Sequence, residues 1–247
     1  AQLGAAAAAG IASFSCGRRP RVAILPTGDE LRRPDQPLGP GQIYESNGPM
    51  LAAALARTGA KVTAIEATAD TLEAHRRAFA EALSHDVVIS TGGVSVGEHD
   101  LVRGVGAELG VQEIFWRIRM KPGKPLSFGV RDRTLVFGLP GNPVSALVTY
   151  TLFVAPALRA LQGAAHPEPP FRPARLGAAV TPNDERDELL RVSSNRDGTL
   201  APAGGQQSNQ LSFVARADGL AWIPLGEKEL PAGSTVNYLP LNGSDSG

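Results

Sequence analysis

The sequence predicts an α/β domain followed by a small all-β, barrel-like domain, and three features predict it. Between Arg21 and Gln162, short β-branched runs alternate with longer helical patterns, as βαβ units require. Pro167, Pro169, Pro170 and Pro173 then cluster where their missing donors and fixed φ stiffen the chain. Beyond them, short apolar runs are divided by the turn pairs Asp197-Gly198, Gly204-Gly205, Asp218-Gly219 and Ala232-Gly233, with no lasting helical period. The reading divides the chain into four parts: residues 1–16, the remnant of a preceding helix; 17–163, the α/β domain; 164–175, a proline-rich linker; and 176–243, the β domain.

Within the α/β part, strands are predicted over residues 21–25, 61–66 and 86–90. The last holds Val87-Val88-Ile89, a continuous apolar run suited to a parallel sheet covered on both faces. Helices belong between them. Residues 47–57 place Met50, Leu51, Ala54 and Leu55 on one face, and residues 71–83 do the same with Leu72, Phe79 and Leu83. Asp70, with Glu73 three positions on, has the form of a capping box. A further helix runs through Leu101, Val105 and Leu109, strands over 126–130 and 134–137 form a hairpin around Arg131-Asp132, and a long helix over 143–162 closes the domain.

With 43% hydrophobic residues in 247, the chain can fill a core. Lys plus Arg and Asp plus Glu each number 24, so net charge points to neither nucleic acid nor an anionic membrane. Residues 1–163 carry a net +3 and residues 164–247 a net −3, which fits two domains of opposite sign. Cys16 is the only cysteine, which excludes an intrachain disulfide and makes a reducing cytosol the simplest compartment. The alanine-rich opening lacks a basic n-region and an initiating Met, and reads as the tail of a helix. No apolar run is expected to reach the roughly 20 residues that span a bilayer, so the protein is expected to be soluble.

Four motifs carry chemistry. Thr27-Gly28-Asp29-Glu30-Leu31 follows the first strand, where open α/β sheets bind ligands; a turn with two solvated acids explains it equally well. The stretch from Ser90 through Gly92, Gly93, Ser95, Gly97, Glu98 and His99 to Asp100 leaves another strand end, and its glycines let backbone N–H groups approach a phosphate. Asp100 suits a helix cap or a Mg²⁺ ligand in equal measure. His99 has no second His or Cys at ligand spacing and reads as a surface residue. Met120-Lys121-Pro122-Gly123-Lys124-Pro125 follows Arg117 and Arg119, so four cations fall within eight residues without an acid between them, and an anion belongs nearby. In Gly138-Leu139-Pro140-Gly141-Asn142-Pro143-Val144-Ser145, Asn142 is a good N-cap and Pro143 suits the first helical position. The first turn and the Ser145 hydroxyl are then expected to offer donors to an oxyanion.

In this order, and together with Ile43-Tyr44-Glu45-Ser46-Asn47, the motifs resemble the molybdopterin molybdenumtransferases, the MoeA and gephyrin E-domain family, over about residues 10–240. The resemblance implies a MogA-like, three-layer molybdopterin-binding α/β domain with a small β domain behind it. It implies an enzyme that takes adenylylated molybdopterin and molybdate to molybdenum cofactor and AMP, assisted by Mg²⁺. Glu30, Asp70 and Asp100 match the family's functional acids, with Asp100 and Asp70 as metal ligands and Lys121 beside them in catalysis. Lys121, Lys124 and Ser145 match its molybdate and substrate pocket. Thr27, Gly28, Asp29, Gly92, Gly93, Ser95, Gly97, Pro140, Gly141 and Asn142 fall on its substrate-binding motifs, and Arg191 and Ser208 on residues that complete the molybdate site. At Arg117 related bacterial enzymes can carry Lys. Family members also have a long N-terminal portion that faces the partner subunit's cleft in a homodimer; it has no counterpart in this sequence. A molybdopterin adenylyltransferase is implied as a partner. Two alternatives stay open: an adenylyltransferase, against which the second motif and the β domain argue, and a non-catalytic, gephyrin-like scaffold.

Overall fold

The computed structural model describes residues 1–28, 30–65, 71–92 and 101–241. After helix α1 (Gln2–Ala8), the α/β part runs β1 (Arg21–Pro26), β2 (Leu31–Arg32), β3 (Ile43–Tyr44), α2 (Asn47–Arg57), β4 (Lys61–Ile65), α3 (Leu72–Ala82), β5 (Val87–Thr91), α4 (Leu101–Glu108), β6 (Gln112–Trp116), β7 (Met120–Lys121), β8 (Ser127–Arg131) and β9 (Thr134–Leu139). It ends in one helical run: α5 (Pro143–Thr149), a π turn (Tyr150–Val154) and α6 (Ala155–Leu161).

The main sheet has the order β4-β1-β5-β9-β8-β6, parallel from β4 to β9, with β8 antiparallel to both of its neighbours. Strand β5 is buried at every position. Its Val87 and Ile89 join Leu51, Leu55, Tyr150 and Leu158 on one face, while Val88 joins Phe79, Val102 and Val105 on the other. Helices therefore cover both faces, which is the three-layer arrangement expected. The β8/β9 hairpin closes through Asp132 and Arg133, with Asp132 at φ 51°, the left-handed geometry of a tight two-residue turn.

Two local expectations change. The described cap of α3 is Thr71, whose side chain accepts from the Ala74 amide at 3.3 Å; Asp70 lies outside the described residues. The closing helix is widened in the middle. Pro156, in the first turn of α6, has no N–H to donate and its ring crowds the preceding turn, and the π turn just before it takes up the misfit. The whole run, Pro143–Leu161, is 19 residues and apolar enough by length and composition to cross a membrane, contrary to the expectation that no run comes close. Half of it is buried, with Val144, Val148, Val154 and Leu158 packed into the protein core.

The second part contains β10 (Arg172–Arg175), β11 (Asp187–Ser194), β12 (Leu200–Pro202), a short helix α7 (Leu211–Val214), β13 (Gly219–Ile223) and β14 (Thr235–Pro240). The order β10-β14-β13-β11-β12 is antiparallel throughout, and Leu176, directly after β10, bridges Leu200 of β12, which curls the sheet into a barrel-like form. Strand β10 takes up residues expected in the linker. Pro173 is tolerated there because β10 is an edge strand.

The two parts meet along a continuous seam. Strand β7 of the first pairs in parallel with β11 of the second, Met120 opposite Asp187 and Lys121 opposite Glu188. Met120, Val144 and Val148 share one apolar cluster with Leu189, Val214, Leu220 and Leu239.

Candidate functional site

The carboxyl ends of β1, β5 and β9 open onto a cleft of about 1010 Å³ whose far wall belongs to the β domain. Among the expected residues, Thr27, Gly28, Glu30, Gly92, Lys121, Lys124, Pro140, Gly141, Asn142, Ser145 and Ser208 line it. Asp29, Asp70, Gly93, Ser95, Gly97 and Asp100 lie outside the described residues, as do Glu98 and His99.

The floor is built from backbone packed too closely for side chains. Thr27 donates from its amide to the Thr91 carbonyl at 2.9 Å. A Cβ on Gly92, at φ 86°, would stand 2.4 Å from the Thr27 carbonyl oxygen, and one on Gly141 would meet the Gly92 Cα at 3.4 Å. Glycine is needed at position 92, where these turns cross, while Gly141 only approaches it at van der Waals distance. Glu30 folds back over Gly28, its carboxylate within 2.6 Å of where a Gly28 Cβ would be. Asn47, at the start of α2, donates to the Gly141 carbonyl at 2.8 Å and ties the opposite lip to the same floor.

Asn142 does not cap α5 with its side chain. Its Nδ2 donates instead to Ser208 Oγ at 2.9 Å, while the Val144 amide donates to the Ser208 carbonyl at 3.2 Å. The sequence placed Asn142 at the helix start correctly but not its partner: its amide group turns to a hydroxyl of the neighbouring domain, and its oxygen accepts no amide of its own first turn. One amide expected to hold an oxyanion is thus already occupied by the β domain.

Arg191 departs furthest from expectation. It is 1% exposed and does not line the cleft. Its guanidinium donates to the Gly205 carbonyl, its amide to Gln206 Oε1 at 3.0 Å, and its carbonyl accepts from Gln206 Nε2 at 3.1 Å. Burial pulls its pKa down, with Glu188 acting in the opposite sense. Arg191 braces the loop that presents Gln206, Gln207 and Ser208, instead of facing the cleft itself.

Arg186, five residues earlier and not foreseen, does line the cleft. Its Nε is buried without a hydrogen-bond partner among the described residues, as are Asn47 Oδ1 and Thr91 Oγ1 on the α/β side of the cleft. Buried polar atoms are nearly always paired in native proteins, so three orphans around one cavity mark a place that a polar ligand completes. No local motif marked Arg186, which stands directly before β11 and reaches the cleft only because of where the β domain sits.

Among the described residues, the charged side chains lining the cleft are Lys121, Lys124 and Arg186 against Glu30. Lys121 Nζ lies 3.1 Å from Glu188 Oε1, while Lys124 and Arg186 form no ion pair among the described residues. The arrangement favours a small anion bound by groups from both domains. Among the described residues no group of three or more His, Cys, Asp or Glu is placed to hold a metal.

Comparison with known proteins gives the same two-part division. Residues 23–160 match the model of a probable molybdopterin binding domain, and residues 173–241 that of the MoeA C-terminal region, domain IV. The molybdopterin molybdenumtransferase 2 of Mycobacterium tuberculosis is 38% identical over 250 residues, covering 98% of this chain and 61% of its own length. The molybdopterin molybdenumtransferase of a Nostoc species is 39% identical over 254 residues, 97% of this chain and 58% of its own length. The crystal structure of the molybdopterin biosynthesis MoeA protein of Pyrococcus horikoshii superposes with a TM-score of 0.76 at 31% identity, over 92% of this chain and 56% of that one. The chain thus spans about three fifths of the length of these curated relatives.

Proposed function

Since the chain belongs to the family of probable molybdopterin binding domains, which its residues 23–160 match, we propose that its cleft is the oxyanion and pterin site of a molybdenum-inserting enzyme. Its substrates are then molybdate and adenylylated molybdopterin, and its products molybdenum cofactor and AMP. The observation that carries this reading is the meeting, around one cleft, of Lys121, Lys124 and Ser145 from the α/β domain with Arg186 and Ser208 from the β domain.

These groups supply what a tetrahedral oxyanion needs. Two ammonium groups and a guanidinium provide charge-assisted donors, and two hydroxyls fill the remaining directions. Asn142 donates to Ser208 Oγ, so the Ser208 proton is left for a ligand. The glycine-floored end, with Gly28, Gly92 and Gly141, admits a flat or phosphorylated substrate close to the backbone. Binding both substrates side by side lowers the entropic cost of their meeting, and no covalent protein intermediate is required.

Glu30 is the one carboxylate among the described cleft-lining residues. Mg²⁺ takes one or two carboxylates and fills its shell with phosphate oxygens and water, and Glu30 offers one such group; Asp100 and Asp70, outside the described residues, are the acids that the family resemblance would add. When bound, the ion would neutralise charge on the pyrophosphate link. The working protein is proposed to be a cytoplasmic homodimer that receives its nucleotide substrate from a molybdopterin adenylyltransferase.

The test is AMP release from adenylylated molybdopterin, followed by chromatography with and without molybdate, using the chain alone and supplied with the portion its relatives have in addition. Molybdate-dependent release that falls more than about tenfold in Lys124→Ala is expected. Release that ignores molybdate in both preparations would sink the assignment.

A further inference from the structure

Lys121 is not a free cation. It stands opposite Glu188 in the β7/β11 pair, its Nζ 3.1 Å from Glu188 Oε1. The two partners differ in access: the lysine side chain is 42% exposed and lines the cleft, whereas the glutamate is 14% exposed and does not. Glu188 also acts electrostatically on the buried Arg191 behind it. The carboxylate paired with Lys121 is therefore largely hidden, with the cleft on the far side of the lysine.

We propose that Glu188 tempers oxyanion binding: a counter-charge beside the Lys121 ammonium, it lowers how strongly that cation draws an anion. This inference rests on the reading of the cleft as an oxyanion site. An ammonium has three donors, so the ion pair with Glu188 offsets its charge without excluding an anion. Because Glu188 is largely withdrawn from water, its charge is poorly screened and is felt by any anion that Lys121 holds. The pair is nearly neutral as a unit, so among the described cleft residues the remaining attraction comes from Lys124 and Arg186, set against Glu30. An enzyme that must release an anionic product gains from such tempering, since tight ground-state binding alone does not speed turnover.

Calorimetric titration of the whole chain with molybdate, and separately with inorganic phosphate, tests this in the wild type, Glu188→Gln, Lys121→Ala and the double variant Lys121→Ala/Glu188→Gln. Melting temperatures check that each variant is folded. Glu188→Gln should bind molybdate about three- to tenfold more tightly than the wild type, and the double variant should exceed Lys121→Ala by at least the same factor. The second comparison matters because Lys121→Ala leaves Glu188 facing the anion uncompensated, and a glutamate that only staples the two domains predicts no such rescue. Should Glu188→Gln melt early, the double variant, which has lost both charges, carries the test. Equal or weaker molybdate binding when Glu188 is neutralised in folded protein overturns the inference while leaving the cleft intact. A wild type that binds neither molybdate nor phosphate overturns the cleft itself, and Glu188's role with it.

Discussion

Asn142 Nδ2 donates to Ser208 Oγ at 2.9 Å, joining the start of a helix in one domain to a loop 66 residues later in the other. If this bond is a latch between the two parts, Asn142→Ala and Ser208→Ala should not be additive. Thermal melts of both single variants and of the double should give a coupling of about 1 kcal/mol. Additive losses would return Asn142 to a local role at its own helix end.

Arg191→Ala should act on stability before it acts on binding. It empties a buried site and unpairs the Gly205 carbonyl, and a loss of about 2–4 kcal/mol is expected. Arg186→Ala removes a cleft-facing guanidinium with no ion pair among the described residues and should move the melting temperature little. Urea titrations of the two variants decide this; equal stability losses would contradict the division of roles.

The Asp86 carboxylate is held down at about 2, first by its hydrogen bonds from Arg18 and also by the Arg21 amide. A carboxylate whose folded value is depressed adds stability that is complete above its ordinary value near 3.8 and is lost as pH falls through the folded value. Asp86→Asn should therefore cost about 1 kcal/mol at neutral pH, after allowance for the exposed Arg18. The gap between variant and wild type in urea midpoint should close between about pH 4 and pH 2. A gap that persists at the acid end would mean that the charge is not its source.

Gly92→Ala and Gly110→Ala separate backbone strain from crowding. Both glycines have positive φ, 86° and 83°, but an added Cβ meets the Thr27 carbonyl oxygen at 2.4 Å at Gly92 and nothing within 4 Å at Gly110. Gly110→Ala should cost about 1 kcal/mol and Gly92→Ala clearly more, with distortion of the cleft floor. Matching melting curves for the two would refute the close crossing of the turns.

Periodicity was enough to read the α/β layer because β5 is buried on both faces and α2 turns one apolar stripe inward; α3 was placed correctly but buries His75, Phe79 and Ala82, while Leu72, expected on that face, is exposed. The short strands β2, β3 and β7 were not legible: two residues hold no period, and β7 is a strand only because β11 lies beside it. The same limit applied to the site. Glycine turns, lysines and Ser145 could be placed from local motifs, since each follows a strand or opens a helix. Arg186, Glu188 and the true partner of Asn142 depend on how one domain meets the other, and nothing local encodes that. Arg191 was assigned to the cleft from its motif, but its position in the strand turns it behind the loop it supports.

The central claim is that one oxyanion site is built by both domains, and a single calorimetric series with molybdate tests it most directly. Lys124→Ala and Arg186→Ala, one from each side of the seam, should each weaken binding roughly ten- to a hundredfold, the loss of one charge-assisted contact. Arg76→Ala, which removes an exposed cation paired with Glu108 on the covering helices, should bind as the wild type does. Wild-type affinity in Arg186→Ala alongside a loss in Lys124→Ala would confine the site to the α/β domain and contradict the account.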